Sequence, residues 1–430
     1  MTTNQSFNLR QAIWSRLNNK GFLQNSGLLL LANMIVIGLG LIRTPAITWF
    51  IPKDQVGMIG VVASWLPFAR LLSYPGLDFA SYHYMSKGES WAFVINLRYR
   101  IKWSLLSGAL LLVGAVYWLQ RGETMLAWIF LISGLFFPVT NGLTATAGAL
   151  GSREQYKDLF WYRIFESITD FAGFIPLLFS SWWLSQVVTF YGANQLATAI
   201  MLIVYGIWIW KQLHDENTPV LSADDEREML RYGKHQTALN TISILQTRTD
   251  AFLVGALLPL TTMADYSIAL MVYEQFKRLW NIYVTVRYPR LVRLPIVRQQ
   301  QRFFLEGCLV WVGFIMMGVF ISALAHWLIP IILPAEYASS LGYMDILIAT
   351  AVITIPGGFA ELYFRMQQDE KKQYYMRVLS AIVGVIAPAL FVIRWGAYGA
   401  AAGRLIAGLI LSIAGIWLFT VEVKRTKITN

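Results

Sequence analysis

Apolar runs of about twenty residues alternate with short polar segments along almost the whole chain. A helix needs about 20 apolar residues to cross the hydrocarbon core of a bilayer, so this pattern predicts an all-α polytopic membrane protein. Twelve transmembrane spans are predicted, at residues 26–50, 55–79, 102–120, 124–148, 158–182, 185–210, 236–258, 264–286, 304–327, 341–364, 374–393 and 399–421.

Prolines are expected to interrupt some of these spans. A proline removes one backbone hydrogen bond and kinks or breaks a helix, which produces either a static kink or a hinge for gating. The prolines concerned are Pro45, Pro67 and Pro75 in the first two spans and Pro356 in the tenth.

The longest polar gap between two predicted spans, at residues 211–235, separates the sixth span from the seventh. It contains HDENTPVLSADDEREMLRYGKH and predicts a cytoplasmic linker with a short surface helix. This linker divides the chain into two six-helix bundles, at 26–210 and 236–421. Residues 1–25 combine bases with apolar residues at helical spacing and predict an interfacial segment rather than a cleavable signal. Residues 422–430 predict a cytoplasmic tail.

The two halves contain similar segments, which predicts an internal repeat. Phe68-Ala69-Arg70-Leu71 aligns with Phe276-Lys277-Arg278-Leu279 at an offset of 208 residues. Because each half has an even number of spans, both halves insert in the same direction and are related by a pseudo-twofold axis along the membrane normal. The predicted architecture is therefore two pseudo-symmetric bundles with a cavity between them.

Charge placement predicts the orientation. Only 14% of residues are charged, and the net charge is +11, whereas a soluble domain carries about 25% charged residues. With a cytoplasmic N-terminus, 25 of the 35 bases, Arg100 among them, fall in predicted cytoplasmic segments, and only Lys53, Arg121 and Arg394 fall outside. The positive-inside rule therefore places both termini in the cytoplasm. The excess charge faces anionic phospholipids, and no basic cluster remains for a nucleic acid partner.

Many predicted spans carry ionisable side chains, although a charge at the bilayer centre costs at least about 2.5–3.5 kcal/mol. Such side chains face protein or a water-filled cavity. Bases outnumber acids in spans 1, 2, 7 and 8, which favours a cationic cavity for an anionic substrate, because guanidinium groups bind phosphate oxygens through paired donors. The predicted substrate-binding residues are Arg43, Arg70, Arg248, Lys277, Arg278 and Arg404, and the ion-coupling candidates are Asp78, Asp250, Glu274 and Glu361.

Ion pairs between helices are the alternative explanation for these charges. In span 5, Arg163, Glu166 and Asp170 share one helix face, and mutual neutralisation is as well supported there as a polar cavity. A purely structural network is expected to balance its charges, which the residues of spans 1, 2, 7 and 8 do not.

Motifs for catalysis are absent from the sequence. There is no G-x-x-x-x-G-K-[ST] motif for ATP, and the four histidines and Cys308 form no metal-binding spacing. The longest predicted outer loop, at 328–340, is too short to house the catalytic domain of a polymerase or ligase. These observations predict a transporter, not an enzyme, with neither a cofactor nor a metal site.

Three segments resemble a known family. ANMIVIGLGLIRTPAITWFIPKDQVGMIGVVASWLPFARLLSYPGLDFASYHYMSKGE at 32–89 is similar to the start of bacterial polysaccharide-biosynthesis flippases of the Wzx type, in the multidrug/oligosaccharidyl-lipid/polysaccharide (MOP) exporter superfamily. TRTDAFLVGALLPLTTMADYSIA at 247–269 resembles that family's seventh helix, and GALGSREQYKDLFWYRI at 148–164 its passage from helix 4 to helix 5. Peptidoglycan lipid II flippases usually have fourteen helices, so the twelve predicted spans favour the Wzx branch.

The resemblance implies a MATE/MOP-like fold and a function. The expected function is translocation of an undecaprenyl-diphosphate-linked oligosaccharide, such as an O-antigen or capsule repeat unit, from the cytoplasmic to the periplasmic leaflet by alternating access. The resemblance also implies a monomer in the bacterial inner membrane, H⁺ or Na⁺ as coupling ion, and a polysaccharide polymerase and chain-length proteins as partners. An ion-coupled drug or cation exporter of the same superfamily stays open as an alternative, as does, with less support, a membrane polysaccharide polymerase or ligase.

Overall fold

A computed structural model describes residues 20–179, 185–214, 222–291, 296–367 and 369–429. Apart from turns and a 3₁₀ turn at Ala335–Tyr337, these ranges are α-helical and contain no β-strand, which confirms the all-α class. Most of the predicted interfacial segment at 1–25 lies outside the described residues. The helices are α1 (Lys20–Phe50), α2 (Lys53–Leu71), α3 (Gly76–Met85), α4 (Trp91–Gln120), α5 (Thr124–Gly142), α6 (Ala145–Ser152), α7 (Tyr156–Thr169), α8 (Phe174–Phe179), α9 (Gln186–His214), α10 (Ala223–Leu257), α11 (Leu260–Leu291), α12 (Ile296–Ile332), α13 (Ser340–Met366) and α14 (Glu370–Thr429).

Several of these helices have the length and composition of membrane spans, so the chain is a multi-pass membrane protein. Across the described ranges, seven segments are long and apolar enough to cross a bilayer, and the bent pair of α2 and α3 makes an eighth. The count of twelve spans and the cytoplasmic location of both termini stay predictions. The seven segments are Leu31–Phe50, Trp91–Gln120, Thr124–Ser152, Gln186–Leu213, Leu305–Ile332, Ser340–Met366 and Lys371–Lys424.

The last of these segments is a helical hairpin. Its 54 residues would extend about 81 Å if straight, whereas the hydrocarbon core is about 30 Å thick. Gly396 breaks the helix with a φ of 58°, a conformation that glycine adopts without steric cost. A Cβ at Gly403 would lie 2.3 Å from the backbone nitrogen of Pro388. The missing side chain therefore lets the two arms, which carry the last two predicted spans, pack backbone against backbone.

The predicted span at 55–79 is broken into α2 and α3, which meet at a bend of 62°. Pro75 has no amide hydrogen to continue the hydrogen-bond ladder, and Tyr74 before it adopts a left-handed φ of 61°. The other prolines that suggested interruptions lie inside continuous helices: Pro45 in α1, Pro67 in α2 and Pro356 in α13.

Turns also divide other predicted spans. The span at 124–148 falls on α5 and α6, and the described part of the span at 158–182 falls on α7 and α8. The predicted linker at 211–235 belongs partly to two helices, because α9 continues to His214 and α10 begins at Ala223. The predicted surface helix and the seventh predicted span thus form one continuous helix.

The helices from α1 to α9 are called the N half and those from α10 to α14 the C half. They pack together chiefly where α11 contacts α2 and where α10 contacts α2 and α3. Met229, near the start of α10, is fully buried in a cluster with Leu77 and Phe93 of the N half. The helices that join the two halves, α2, α3, α10 and α11, therefore carry several of the predicted substrate-binding and ion-coupling residues.

Candidate functional site

The two halves meet first at the N-terminal ends of α2 and α11. Lys53 Nζ lies 2.9 Å from the carboxylate of Asp265. A Cβ at Gly57 would lie 1.9 Å from the carbonyl oxygen of Leu260, so only glycine allows this approach of the two backbones. At the repeat offset of 208 residues Gly57 corresponds to Asp265. The predicted pseudo-twofold axis would therefore carry the Lys53–Asp265 contact approximately onto the Gly57–Leu260 contact. The two contacts together are called the α2–α11 contact.

A second junction between the halves, the α3–α10 contact, lies beside the break that follows α2. The Tyr74 hydroxyl donates to the carbonyl of Leu230 at 2.6 Å, and the Gly76 amide donates to Thr237 Oγ1 at 3.0 Å. A Cβ at Gly76 would lie 2.1 Å from the carbonyl oxygen of Gly233. Under the predicted orientation this is the cytoplasmic junction and the α2–α11 contact is the periplasmic one.

Asp78, an ion-coupling candidate, is bound by a buried arginine. Arg100 forms an ion pair with Asp78, while Asn96 donates to the other carboxylate oxygen at 3.2 Å. The second guanidinium nitrogen of Arg100 donates to Asn141 at 2.8 and 3.0 Å. Arg100 is therefore not among the bases that face anionic phospholipids, and its location on the cytoplasmic side stays a prediction. Its side chain is 1% exposed, because the carboxylate and the amide together compensate for its desolvation.

Arg404 and Asp250 are buried together inside the C half rather than lining an open cavity. Their side chains are 5% and 2% exposed, and Arg404 Nη1 lies 2.8 Å from Asp250 Oδ2. The Tyr266 hydroxyl donates to the same oxygen at 2.6 Å, and the Arg404 guanidinium covers the ring of Tyr273 at 4.3 Å. Arg404 therefore does not line the predicted cationic cavity in this structure, because it is buried against Asp250, whose carboxylate neutralises its charge.

The remaining acidic candidates also have basic partners. Glu274 lies 3.2 Å from Arg248, and Glu361 accepts from Arg365 at 3.0 Å and from Arg377 Nε at 2.9 Å. All four carboxylates that were predicted as ion-coupling candidates thus have a basic partner, which supports the ion-pair explanation for them.

The N half contains a further ion pair between helices and one within a helix. Arg43 lies 3.3 Å from Asp170, and Arg163 lies 3.2 Å from Glu166. The face of span 5 is therefore neutralised, partly by α1, and Arg43 is not a free cation.

Three of the predicted substrate-binding bases have no acidic partner. Arg70, Lys277 and Arg278 make no side-chain hydrogen bond or ion pair with the part of the chain that the structure describes. Arg70 and Arg278 are exposed. Arg70 and Arg278 are also equivalent positions of the internal repeat. The positive charge without an ion-pair partner among the described residues therefore lies on α2 and α11, with Arg70 and Arg278 at positions that the predicted repeat makes equivalent.

A polar cavity of about 280 Å³, called the C-half cavity, lies between α10, α11, α13 and α14. It brings together two of the nominated residues, Lys277 and Glu361. Sequence reasoning missed the other side chains that give it its chemistry: Gln246 and Thr247 on α10, Trp280 on α11 and Arg377 on α14. Gln246, Thr247 and Trp280 are uncharged and carry no signal of their own in an apolar sequence, so charge placement did not identify them.

Solved structures of MOP transporters share this fold. A lipid II flippase, MurJ, in an inward closed conformation is 14% identical, with a TM-score of 0.70 over 91% of this chain and 87% of that one. An inward-facing multidrug resistance MATE transporter is 11% identical, with a TM-score of 0.66 over 91% of this chain and 95% of that one. A MOP superfamily transporter from Pyrococcus furiosus is 13% identical, with a TM-score of 0.54 over 92% and 94% of the two chains.

The fold is therefore that of the MOP transporters, and a family model defines the chain further. The model described as polysaccharide biosynthesis protein matches residues 22–295. The chain belongs to the polysaccharide biosynthesis protein family, which confirms the resemblance found in the sequence. No curated protein matches the sequence significantly.

Proposed function

We propose that this protein is a flippase that moves an undecaprenyl-diphosphate-linked oligosaccharide from the cytoplasmic to the periplasmic leaflet of the bacterial inner membrane. The proposal depends on Arg70 and Arg278, which have no ion-pair partner among the described residues and lie at equivalent positions of the predicted repeat. An unpaired guanidinium in a membrane protein is costly unless it meets an anion or water. The diphosphate group of a lipid-linked glycan is such an anion.

The charge pairing distinguishes this proposal from a cation exporter. A cationic drug needs a carboxylate that is free to receive it, whereas all four nominated carboxylates already have basic partners. Among the predicted site residues, those without an ion-pair partner in the described part of the chain are all basic. Family membership also connects the chain to polysaccharide biosynthesis rather than to drug export.

The lipid tail is proposed to stay in the bilayer beside α1. This helix reaches the C half through Thr44, whose hydroxyl contacts Met271 sulfur at 2.9 Å, and through Trp49, whose indole donates to the carbonyl of Ile332 at 2.7 Å. Nearer its N-terminus, a Cβ at Gly38 or Gly40 would meet no atom within 4 Å. The open space along this part of α1 suits lateral access for a lipid whose headgroup enters between the halves.

Alternating access is proposed to use the two junctions as gates. In the present state the α2–α11 contact and the α3–α10 contact are both closed. Coupling to H⁺ or Na⁺ through Asp78, Asp250, Glu274 or Glu361 would require the ion to displace a basic partner. Glu361 faces the C-half cavity and is more accessible to an ion than Asp250. A polysaccharide polymerase and chain-length proteins would receive the product.

Binding of the lipid carrier alone tests the proposal most directly. Native mass spectrometry of the purified full-length protein would compare undecaprenyl diphosphate with undecaprenol. Wild-type protein is expected to prefer the diphosphate, and the double variant Arg70→Gln, Arg278→Gln to lose tenfold or more of that affinity, because a hydrogen bond to a charged group contributes about 1.5–3 kcal/mol. Arg121→Gln, in a turn where the guanidinium stacks on Tyr117, is the matched control. Equal binding of diphosphate and alcohol would refute the proposal.

Transport is tested in a second assay. Proteoliposomes with a fluorescent undecaprenyl-diphosphate-linked sugar would report translocation, and the double variant is expected to be inactive while its insertion and thermal stability stay normal. Full activity of a correctly inserted double variant would exclude the role of these arginines.

A further inference from the structure

The C-half cavity combines a rigid aromatic wall with hydrogen-bonding side chains. Trp280 is held by Phe359, with ring centroids 4.9 Å apart, and by Tyr283, stacked at 5.6 Å. A Cβ at Gly358 would lie only 3.0 Å from the Trp280 ring, so the residue beneath the indole must be small. Phe276, which meets Phe314 edge to face, continues the wall. The indole is thus fixed in position before any ligand arrives.

Polar groups project into the same space. Gln246 donates its amide hydrogen to Ser380 Oγ at 2.6 Å, which fixes the side chain and leaves its carbonyl oxygen to accept from a ligand. Thr247 and Glu361 also line the cavity. A sugar ring has apolar C–H faces and hydroxyl groups around its edge. A flat aromatic surface beside amide, hydroxyl and carboxylate groups complements both features.

The charge in the cavity adds a further preference. Glu361 is already bound by Arg365 and Arg377, whereas Lys277 lines the cavity without an ion-pair partner among the described residues. A buried or half-buried ammonium group is stabilised by an anion that enters with the ligand. The cavity therefore suits a sugar with a negative charge better than a neutral one.

We propose that the C-half cavity binds one sugar of the transported glycan and that Lys277 selects a sugar that carries a carboxylate. This inference rests on the proposed flippase function and names the part of the substrate bound there. Lys277 and Arg278 are consecutive on α11, so their side chains point about 100° apart around the helix. Lys277 faces the C-half cavity and Arg278 does not. The glycan and the diphosphate are thus bound by different faces of one helix.

Saturation-transfer NMR with soluble probes tests this assignment in the full-length protein in lipid nanodiscs. The probes are D-glucuronate, D-glucose and inorganic pyrophosphate. Wild-type protein is expected to bind D-glucuronate about tenfold or more tightly than D-glucose. Lys277→Gln is expected to abolish that difference while pyrophosphate binding stays unchanged. Arg278→Gln, at the neighbouring residue, is the control. It is expected to weaken pyrophosphate binding and to leave glucuronate binding unchanged.

Trp280→Phe and Thr247→Val give a second set of variants that keep the cavity charge. Each is expected to weaken the binding of both sugars severalfold without affecting pyrophosphate binding.

Equal binding of glucuronate and glucose by wild-type protein, no sugar binding at all, or displacement of glucuronate by pyrophosphate would overturn the inference. If pyrophosphate binds and the sugars do not, only this inference fails. If the sugars bind and undecaprenyl diphosphate is not preferred over undecaprenol, the flippase proposal fails instead.

Discussion

Arg404 and Asp250 form a buried ion pair that joins α14 to α10, with Arg404 Nη1 2.8 Å from Asp250 Oδ2. The two residues are separated by 154 positions in the chain, so the pair ties the last described helix to the first helix of the C half. Tyr266 supplies a further hydrogen bond to the same carboxylate oxygen. Removing one member of a buried pair leaves an uncompensated charge, whereas replacing both members with apolar side chains is often nearly neutral.

Replacement of Arg404 alone is therefore expected to destabilise the protein strongly. Arg404→Met should lower the free energy of unfolding by about 3–5 kcal/mol, and the double variant Asp250→Leu, Arg404→Met should recover most of this loss. Thermal denaturation of the purified protein provides the measurement, with the exposed Arg227→Gln as control. Equal losses in the single and double variants would contradict a stabilising role for mutual neutralisation.

A larger residue at Gly57 is expected to open the α2–α11 contact. A valine there would meet the backbone of Leu260, which cannot rotate away as a side chain does. A cysteine at the fully buried Val61, in a Cys308→Ser background, should then react severalfold faster with a thiol reagent. Gly148→Val, at a site with no neighbour within 4 Å, is the control. An unchanged labelling rate would show that the contact is not a gate.

A larger residue at Gly76 is expected to separate α3 from α10. The substitution Gly76→Val should break both hydrogen bonds of this junction, each worth about 0.5–1.5 kcal/mol, because the new side chain overlaps the α10 backbone. Spin labels at the exposed positions Tyr82 and Lys234 should move apart in double electron–electron resonance spectra. Gly38→Val, which faces open space, should leave the distance unchanged. A wild-type distance in the Gly76 variant would rule out the predicted opening.

The conservative change Arg100→Lys is expected to destabilise the N half. Lysine preserves the charge opposite Asp78, but it cannot reproduce the guanidinium fork that also donates to Asn141. We expect a loss of about 1–3 kcal/mol, measured as a lower melting temperature. Arg98→Lys, exposed on the same helix, should have little effect. Equal melting temperatures for both variants would mean that Arg100 acts as a charge alone.

Sequence reasoning predicted the helices better than their interruptions. Proline content suggested several breaks, and the structure has one at Pro75, where Tyr74 turns left-handed. The helices continue through the other three prolines. In a membrane protein, neighbouring helices and side chains can satisfy the backbone groups that a proline frees, and a single-helix pattern contains no information about those neighbours. The break at Gly396 lies in the gap that the sequence predicts between the spans at 374–393 and 399–421.

The sequence by itself determined that this is an all-helical membrane protein, because a backbone in hydrocarbon must satisfy its own hydrogen bonds. It also located the ionisable residues inside the apolar runs, including Arg70 and Arg278. Only the tertiary structure decided which of these charges are neutralised. Arg100 pairs with Asp78 across 22 positions of the chain, and Arg404 with Asp250 across 154. Pairing depends on which faces of distant helices meet, and that is a property of packing rather than of any one segment.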